Sequence, residues 1–224
     1  MFTGIIQALG TIQTIEPTGV DSRFFIKTGK LDLDHVQLGD SIAVNGVCLT
    51  VVELLNSQSQ NNGFWADVSA ETLTKTAFKH IAISTQVNLE KAVLSTTHLG
   101  GHIVSGHVDG VGKIIHRSNI GRSIHFKIQV PNELAKYIAA KGSICVNGIS
   151  LTVNEVNGHT FDLNIVPHTL EKTTLNECVA GSEVNLEVDI IARYLERLLL
   201  GDKAAEQISQ SQLSMETLVK NGFA

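Results

Sequence analysis

The stretch that decides the fold is AVNGVCLTVVEL at residues 43–54, because it recurs as CVNGISLTVNEV at residues 145–156. Val44 and Val146, which align in this pair, are 102 residues apart, and the same offset aligns TGIIQALGTI (3–12) with SGHVDGVGKI (105–114). ETLTKTAF (71–78) and HTLEKTTL (168–175) align at an offset of 97, as do VNLEKA and VNLEVD. An internal repeat of this length predicts two copies of one structural unit.

The change of offset is explained by five extra residues in the first copy. They fall in the polar stretch NSQSQNNG (56–63), where the second copy has only NG (157–158). An insertion in a polar loop between aligned segments is typical of a true duplication. Since Thr3 aligns with Ser105, we expect the start of the chain to be ordered, as the first strand of the first copy.

Turn signals predict that each copy is all-β. Asn-Gly, the strongest short hairpin signal, occurs at residues 45–46, 147–148 and 157–158, between runs rich in Val, Ile, Leu and Thr. Turn signals about every ten residues indicate a small barrel or a sandwich. The segments HVQLGD (35–40) and LAKYIAAKG (134–142) predict a short helix in each copy.

The pattern changes to helical periodicity after Asp189. IIARYLERLL (190–199) has an apolar stripe with helical spacing, which predicts a helix that serves as an oligomerisation surface. GDKAAEQISQSQ (201–212) is interpreted as a polar linker and METLVKNGF (215–223) as a last helix.

Bulk composition excludes several classes of protein. The 224 residues are 43% hydrophobic and 17% charged, with a formal net charge of -5 and no cluster of Lys and Arg, which argues against nucleic acid and anionic membranes. The start lacks the pattern of a signal peptide, and no run approaches the ~18 apolar residues of a membrane span. Three scattered cysteines, Cys48, Cys145 and Cys178, indicate free thiols in a reducing cytoplasm.

Alternation along the repeated strand places two small polar groups on one face in each copy. Cys48 and Thr50 share a face in the first copy, and Ser150 and Thr152 share the equivalent face in the second. A water-exposed outer face and the wall of a binding pocket both fit this pattern. The recurrence in two copies strengthens the pocket interpretation.

The second copy carries more ionisable groups than the first at aligned positions. The aligned pairs that differ are Ile5 and His107, Gly39 and Lys141, Ala92 and Asp189, and Cys48 and Ser150. Two similar pockets with unequal chemistry would suit one reaction that uses two related molecules in different roles, with an imidazole and a carboxylate for proton transfer. Drift after duplication is the alternative, and the residues alone favour it.

Motifs for metals, nucleotides and nucleophilic triads are lacking in the sequence. His102 and His107 are five residues apart and would point to opposite faces of a strand, and neither paired cysteines nor HExxH occurs. The glycines of LGGHIVSGHVDGVG (99–112) match neither GxGxxG nor a Walker loop. The sequence alone favours Cys48 as a buried, inert residue over a nucleophile.

Several motifs taken together, in order and in both copies, give a resemblance. MFTGI, NGVCLTV, ETL, GGHIVSGHVDG, NGISLTV and PHTLEKTTL make the chain similar to the riboflavin synthase family of the α-chain type, from Met1 to about Leu199. The resemblance implies an all-β fold of two tandem six-stranded Greek-key barrels with a C-terminal helical segment. It places the first barrel at 1–101, the second at 102–198 and a tail at 199–224.

The resemblance also implies an activity and an assembly. Each barrel would bind one 6,7-dimethyl-8-ribityllumazine, and one lumazine would pass a four-carbon unit to the other, without cofactor or metal. A homotrimer would form through the C-terminal helix, with each active site between the first barrel of one subunit and the second barrel of a neighbour. Lumazine synthase is a further partner implied by the resemblance.

Carried over by position, the resemblance implies five catalytic residues: Phe2, Ser41, Cys48, His107 and Asp189. In the first site it implies substrate-binding residues Gly4, Ile5, Ile6, Cys48, Leu49, Thr50, Asp67, Val68, Ser69, Ala70, Glu71 and Thr72. In the second it implies Gly106, His107, Val108, Lys141, Ser150, Leu151, Thr152, Asn164, Ile165, Val166, Pro167, His168 and Thr169. Asn147 stands where some members carry Asp, so we expect no catalytic proton there.

Two other functions remain open at this point. One is a non-catalytic protein that binds lumazine or flavin, and the other is a double barrel that binds partner proteins. Both copies keep the Thr50/Thr152 and Thr72/Thr169 pairs, which favours the enzyme. Turnover of lumazine to riboflavin distinguishes the enzyme from the carrier, and a change in lumazine fluorescence on mixing distinguishes both from the structural protein.

Overall fold

The computed structural model describes residues 1–55 and 62–205. The segment METLVKNGF, most of the polar linker and most of the stretch NSQSQNNG lie outside the described residues. Contacts divide the chain into two compact units, Met1–Ala192 and Arg193–Ala224. The first unit contains both copies of the repeat.

The first copy forms one antiparallel sheet in the order β4-β3-β7-β1-β2-β6-β5. Its strands are β1 (Ala8–Thr18), β2 (Asp21–Lys27), β3 (Ser41–Val44), β4 (Val47–Thr50), β5 (Glu53–Leu55), β6 (Gly63–Val68) and β7 (Gln86–Lys91). The two edge strands, β4 and β5, are joined by only two residues, Val51 and Val52. The sheet therefore curls until its edges meet.

The strand count agrees with a six-stranded barrel when β4 and β5 are counted as one bent strand. Val51 donates its N–H to Asp40 O at 2.8 Å and Val52 donates to Trp65 O at 2.9 Å, so the bend passes from one edge of the sheet to the other. Read around the ring, β7 lies beside β3, and β3, the bent strand and β6 follow as consecutive neighbours. This order is a Greek key.

The second copy repeats this topology in the order β11-β10-β14-β8-β9-β13-β12. Its strands are β8 (Gly110–Ile120), β9 (Ser123–Gln129), β10 (Ser143–Val146), β11 (Ile149–Thr152), β12 (Glu155–Asn157), β13 (Thr160–Ile165) and β14 (Glu183–Val188). The duplicated all-β fold predicted from the repeat is thus confirmed, as are the two barrels that the resemblance implies.

Turn chemistry and alternation explain why these residues form these strands. Asn45 and Gly46 have φ values of 45° and 79°, and Asn147 and Gly148 have 47° and 82°. Positive φ at both central residues is the condition for the tight hairpin turn that Asn-Gly predicts. Inward side chains build a separate apolar core in each barrel, around Phe24 and Phe64 in the first and around Phe126 and Phe161 in the second.

The helical predictions had mixed outcomes. The helices are short except the last: α1 (Ala70–Lys75), α2 (Asn132–Ala135), α3 (Pro167–Lys172) and α4 (Ile190–Leu199). The helix predicted from IIARYLERLL is therefore confirmed as α4. The helix predicted for HVQLGD is wrong, because His35 and Gly39 take φ values of 71° and 92° and the segment forms turns. In the second copy the helix ends near the start of LAKYIAAKG.

Helix α4 carries exposed apolar side chains at helical spacing. Ile191, Leu195 and Leu199 follow each other at intervals of four residues, and each is more than half exposed. Among the helices in the described ranges, none is long and apolar enough to cross a membrane.

Candidate functional site

The two barrels meet through reciprocal contacts between equivalent residues. Asn88 donates its side-chain N–H to Asn147 O at 2.9 Å, and Asn185 donates to Asn45 O at the same distance. The side-chain oxygens of Asn88 and Asn185 accept the backbone N–H groups of Thr174 and Ala77. Each of these bonds joins one copy to the other, and each has an equivalent bond in which the two copies are swapped. The interface between the barrels therefore has the two-fold symmetry of an isologous dimer.

A peptide arm leads into each barrel from this interface. We define the first arm as residues 2–7 and the second arm as residues 104–109. Glu90 accepts the N–H and the hydroxyl of Thr3, both at 2.7 Å, and the N–H of Gly4 at 2.9 Å. Glu187 accepts the equivalent three groups of Ser105 and Gly106. A buried carboxylate of each barrel thus fixes the arm that precedes it.

Each arm then crosses to the other barrel. Ser150 of β11 donates its N–H to Gly4 O, and Cys48 of β4 donates to Gly106 O, both at 2.8 Å. Ile6 packs against the core of the second barrel and Val108 against the core of the first. The resemblance groups Gly4, Ile5 and Ile6 with the first site, whereas Gly4 and Ile6 contact the second barrel, because the arms exchange.

The crossing requires glycine at the contact point of each arm. A side chain on Gly4 would place its Cβ 2.6 Å from Ser150 Cβ, and one on Gly106 would place its Cβ 2.7 Å from Cys48 Cβ. Both glycines have positive φ, at 74° and 82°. The recurring TG and SG of the arms are therefore required by backbone geometry and by close approach.

The strand residues have the alternation that the sequence predicted. Leu49 and Val51 are buried in the first core, whereas Cys48 is half-buried and Thr50 is exposed. In the second barrel Val153 is buried, Ser150 is half-buried and Thr152 is exposed. The polar pair of each barrel faces away from its core, on the side where the other copy's arm lies.

The segments 67–72 and 164–169 lie at the C-terminal ends of β6 and β13. Each runs from the end of a strand into a short helix, and Asp67, Ser69 and Glu71 are exposed while Val68 is buried. Ser69 caps α1 by accepting Thr72 N–H at 3.1 Å. In the second copy Asn164, Val166, Pro167 and His168 are exposed and Ile165 is buried. Strand β6 contacts β4, so in the first barrel this segment and the polar pair belong to one wall.

Phe2 lies between the barrels instead of lining an open cavity. It is 1% exposed and pairs with Val104, with N–H to O distances of 2.7 and 3.1 Å. Its ring belongs to a small apolar cluster with Ala43, Val104 and Cys145, against which Cys48 packs. Any effect of Phe2 on a reaction would therefore pass through the position of the arms and of Cys48.

The other predicted residues occupy separate places. Ser41 lies in β3 beside a cavity of about 360 Å³ that Asp34 and Lys91 also line. Asp189 follows β14 and accepts Ile191 N–H at 3.0 Å, at the start of α4. His107 is exposed on the second arm, and Lys141 is exposed in a turn with a φ of 67°.

Two of the three cysteines are unsuited to act as thiolates. Burial raises the pKa of the Cys145 thiol well above its usual range, and burial raises the pKa of Cys178 to about 11. All three cysteines lie in the described part of the chain, and each is a free thiol. Cys48 is half-buried, not buried as the sequence alone favoured, so it is accessible from the face that Thr50 shares.

Some geometric features lie away from the predicted residues. A cleft of about 500 Å³ between the barrels is lined by Asn45, Lys113 and Glu183 among others and by none of the predicted site residues. The predicted residues lie instead at the arm and strand contacts described above. No group of three or more His, Cys, Asp or Glu side chains within the described ranges could hold a metal ion.

Sequence reasoning missed several residues that organise the site. Asn88, Asn185, Glu90 and Glu187 recur in the aligned VNLE segments, and a polar residue repeated inside an apolar strand was a usable signal. His102, whose Nδ1 lies 2.6 Å from Ser150 Oγ, has no such signal because it lies outside the aligned segments. Asn147 serves the turn and the interface: its Oδ1 accepts Asn185 N–H at 2.8 Å.

Comparison with known proteins agrees with this architecture. A family model described as the lumazine binding domain matches residues 3–92 and 105–189. Riboflavin synthase of Photobacterium phosphoreum is 51% identical over 223 residues, covering 100% of this chain and 99% of its own. Riboflavin synthase of Bacillus subtilis is 39% identical, covering 100% of both.

Solved structures of LumP have a fold similar to that of this chain. LumP complexed with riboflavin has a TM-score of 0.75 at 28% identity, and LumP complexed with 6,7-dimethyl-8-(1'-D-ribityl) lumazine has 0.74 at 26%. Each alignment covers 84% of this chain and 99% of the other. The chain therefore belongs to the riboflavin synthase family and carries the lumazine-binding domain twice.

Proposed function

We propose that this transferase catalyses the dismutation of two molecules of 6,7-dimethyl-8-ribityllumazine. One molecule passes a four-carbon unit to the other, which gives riboflavin and 5-amino-6-ribitylamino-pyrimidinedione. The two products together contain all the atoms of the two substrates, so the reaction consumes no co-reactant. The full-length similarity to riboflavin synthases from several bacteria supports this reaction.

One observation carries the proposal: equivalent backbone in both barrels presents unequal side chains. Cys48 and Ser150 each lie opposite the glycine of an arm from the other copy, with the same hydrogen bond of 2.8 Å. One barrel thus offers a thiol and the other a hydroxyl. This inequality suits a reaction in which identical molecules act as donor and acceptor, whereas a simple carrier has no use for it.

Positioning is the main contribution expected of the protein. Holding two flat rings face to face turns a bimolecular step into an effectively unimolecular one, with up to roughly 7–11 kcal/mol available in ideal systems. A placed acid or base such as His107 adds perhaps 10²–10⁴-fold. The exposed residues of segments 67–72 and 164–169 are proposed to contact the substrates, together with Lys141 and the arm residues.

The assembly is part of the same proposal. The apolar stripe of α4, with Ile191, Leu195 and Leu199, supports association into a homotrimer. Each active site would then combine a first barrel (1–101) with a second barrel (102–198) of a neighbour. A cytoplasmic location and association with lumazine synthase complete the proposal.

The decisive experiment is incubation of the purified protein with 6,7-dimethyl-8-ribityllumazine and chromatographic detection of riboflavin. We expect riboflavin and the pyrimidinedione in equal amounts. Binding of lumazine, seen as a change in its fluorescence, without riboflavin would identify a carrier and overturn the proposed reaction. Neither binding nor turnover would favour a structural protein.

A second experiment tests whether sites are shared between subunits. Because the arms exchange, His107 lies beside Cys48 of the first barrel, so the two lesions must be His107→Ala and Ser150→Ala. We expect each variant to be impaired and mixed trimers to regain activity, since some interfaces would join two intact halves. No recovery in mixed trimers verified by native mass spectrometry would contradict the shared site.

A further inference from the structure

Ser150 has a buried partner to which the proposed reaction assigns no role. His102 is 8% exposed and lies on the segment between the two barrels, where its backbone N–H donates to Thr3 O at 3.2 Å. Its Nδ1 lies 2.6 Å from Ser150 Oγ. The imidazole therefore contacts the one hydroxyl that takes the place of the Cys48 thiol in the second barrel.

The chain is shaped to permit this contact. Gly101 precedes His102, and a side chain there would place its Cβ 2.6 Å from Ser150 Cβ and against the backbone oxygen of Thr3. Ser150 is itself fixed, because its N–H donates to Gly4 O. Both partners of the contact are thus held by backbone interactions of the first arm.

The first barrel has no equivalent contact. The Cys48 thiol, in the place of Ser150, makes no side-chain hydrogen bond to any described residue. A serine hydroxyl can both donate and accept, so a partner that donates to its oxygen fixes the direction of its hydrogen. The difference between the barrels is therefore a hydrogen-bonded hydroxyl in the second against a thiol without such a bond in the first.

The surroundings of the ring indicate which nitrogen carries the proton. Nε2 is buried and has no hydrogen-bond partner among the described residues. A buried N–H without a partner is costly and rare, whereas an unpartnered acceptor is better tolerated. Burial lowers the pKa of His102, although the charges of Asp189 and Glu187 oppose this, which favours the neutral ring. The single proton of the neutral ring then belongs on Nδ1.

We propose that His102 is a positioning residue that donates its Nδ1–H to Ser150 Oγ and so turns the Ser150 hydroxyl hydrogen outward, toward a substrate acceptor. The acceptor would be a carbonyl oxygen or a ring nitrogen of the heterocycle in the second-barrel site. A fixed donor of this kind stabilises negative charge that develops on the ring during reaction. The substrate named in this inference rests on the proposed function. The tautomer of His102 and its coupling to Ser150 do not.

The first test reads the tautomer without any activity. In ¹⁵N-labelled full-length protein, long-range ¹H–¹⁵N correlation of the His102 ring should show the proton on Nδ1, with His102→Asn used to assign the signals. Ser150→Ala should change the Nδ1 signal. A ring protonated on Nε2 alone would overturn the proposal, whether or not the protein makes riboflavin.

The second test is a double-mutant cycle. His102→Leu and Ser150→Ala should each lower kcat by about tenfold, with a smaller change in KM, and the double variant should lose no more than either single one. His102→Asn, which keeps an N–H near the position of Nδ1, should recover most of kcat. His159→Leu, at an exposed histidine in the β12–β13 turn, is the matched control and should behave as wild type.

The outcomes separate the two proposals. If wild-type protein forms no riboflavin, the proposed function fails, and the cycle is read from the lumazine dissociation constant instead. If riboflavin forms but the losses multiply, His102 does not act through Ser150. If His102→Asn is as impaired as His102→Leu while both keep wild-type thermal stability, the ring acts as a base and the donor role is wrong.

Discussion

The two barrels differ where their side chains face the arms and agree where their backbones meet. The residues that join the copies are the same or closely similar at aligned positions: Asn45 and Asn147, Asn88 and Asn185, Glu90 and Glu187, Gly4 and Gly106. The residues that face outward beside them differ: Ile5 and His107, Cys48 and Ser150, Asp67 and Asn164, Glu71 and His168. Folding constrains the first group, because each member satisfies a buried polar group or a close backbone approach.

Apart from Cys48 and Ser150, the unequal group has no such constraint from the fold. Ile5 and His107 are exposed on equivalent arms, and Asp67 and Asn164 are exposed at equivalent strand ends. A side chain that the fold leaves free and that differs between otherwise identical settings is a candidate for chemistry. Changes in the shared contacts should therefore affect stability, whereas changes in the outward groups should affect turnover.

The largest effect is expected for Phe2→Ala. Its ring is 1% exposed between the barrels, and removing a buried phenylalanine ring typically costs about 3–5 kcal/mol of the free energy of unfolding. The arm pairing with Val104 would loosen, so turnover should also fall. Chemical denaturation measures the loss, with Val104→Ala, the equivalent position, as the smaller matched change. A denaturation midpoint equal to that of wild type would show that the ring does not join the barrels.

Gly101→Ala should have the next largest effect. The added Cβ would meet Thr3 O and lie 2.6 Å from Ser150 Cβ, and forcing an atom into a packed site typically costs about 1–3 kcal/mol. Gly100→Ala is the adjacent control, because its Cβ would lie 3.3 Å from Ile5 Cγ1, the nearest atom. Equal thermal stability of the two variants would contradict the close packing of the first arm.

The sequence predicted the parts of this fold that depend on local patterns. The repeat, the Asn-Gly turns, the alternation at Leu49 and Val51 and the helix over residues 190–199 all follow from spacing within a few residues. The exchange of arms does not, because docking of Gly4 on Ser150 depends on how two barrels pack and leaves no periodicity. HVQLGD failed for a related reason: residue composition allows a helix, but the chain needs a turn to reach β3.

The candidate site was predicted as a set of positions but not as an arrangement. The resemblance implies Gly4 and Ser150 as separate positions, and only the fold brings them into contact. The sequence offers only one pattern for His102, its spacing from His107, and that spacing argues against a shared metal ion. Its contact with Ser150 links residues that are 48 apart, which no single-sequence rule connects.

Glu90→Gln should lower the free energy of unfolding by weakening the contacts of the first arm, without changing the fold. The glutamine amide would place donors opposite the N–H of Gly4 or of Thr3, and an unsatisfied buried donor costs about 1–3 kcal/mol. Glu187→Gln is the matched change at the second arm, and the two losses should be similar because the contacts are equivalent. Urea denaturation compares them. A loss confined to one arm would show that the copies are not equivalent in energy.

The pH dependence of stability should reveal Glu90 specifically. Burial raises the pKa of Glu90 above 4.5, although hydrogen bonds from Thr3 and Gly4 act in the opposite direction. The folded protein thus binds this proton more tightly than the unfolded chain does. As pH rises from about the unfolded value through the raised folded value, the wild type should lose this part of its stability. Glu90→Gln should lack the loss, and parallel pH profiles for the two proteins would refute it.

The smallest effect on stability, and the most informative about the unequal groups, is expected for Cys48→Ser. The hydroxyl is accommodated in the equivalent setting at Ser150, so the free energy of unfolding should change by less than about 1 kcal/mol. Turnover should still fall, on the order of tenfold, because a hydroxyl is a much weaker acid than a thiol, and among the described residues no histidine hydrogen-bonds the side chain at position 48 as His102 does Ser150. Steady-state kinetics on lumazine, together with lumazine binding, separates these effects.

The reverse exchange, Ser150→Cys, is the control, because it tests whether the second barrel tolerates a thiol as well as the first tolerates a hydroxyl. A larger sulfur atom would enter the space between Gly101 and His102, where the hydroxyl already lies 2.6 Å from the imidazole. We expect this variant to lose more stability than Cys48→Ser and to lose activity as well. If both exchanges left turnover at the wild-type value, the thiol and the hydroxyl would be interchangeable, and the inequality of the two barrels would lie in His107 and Asp189 instead.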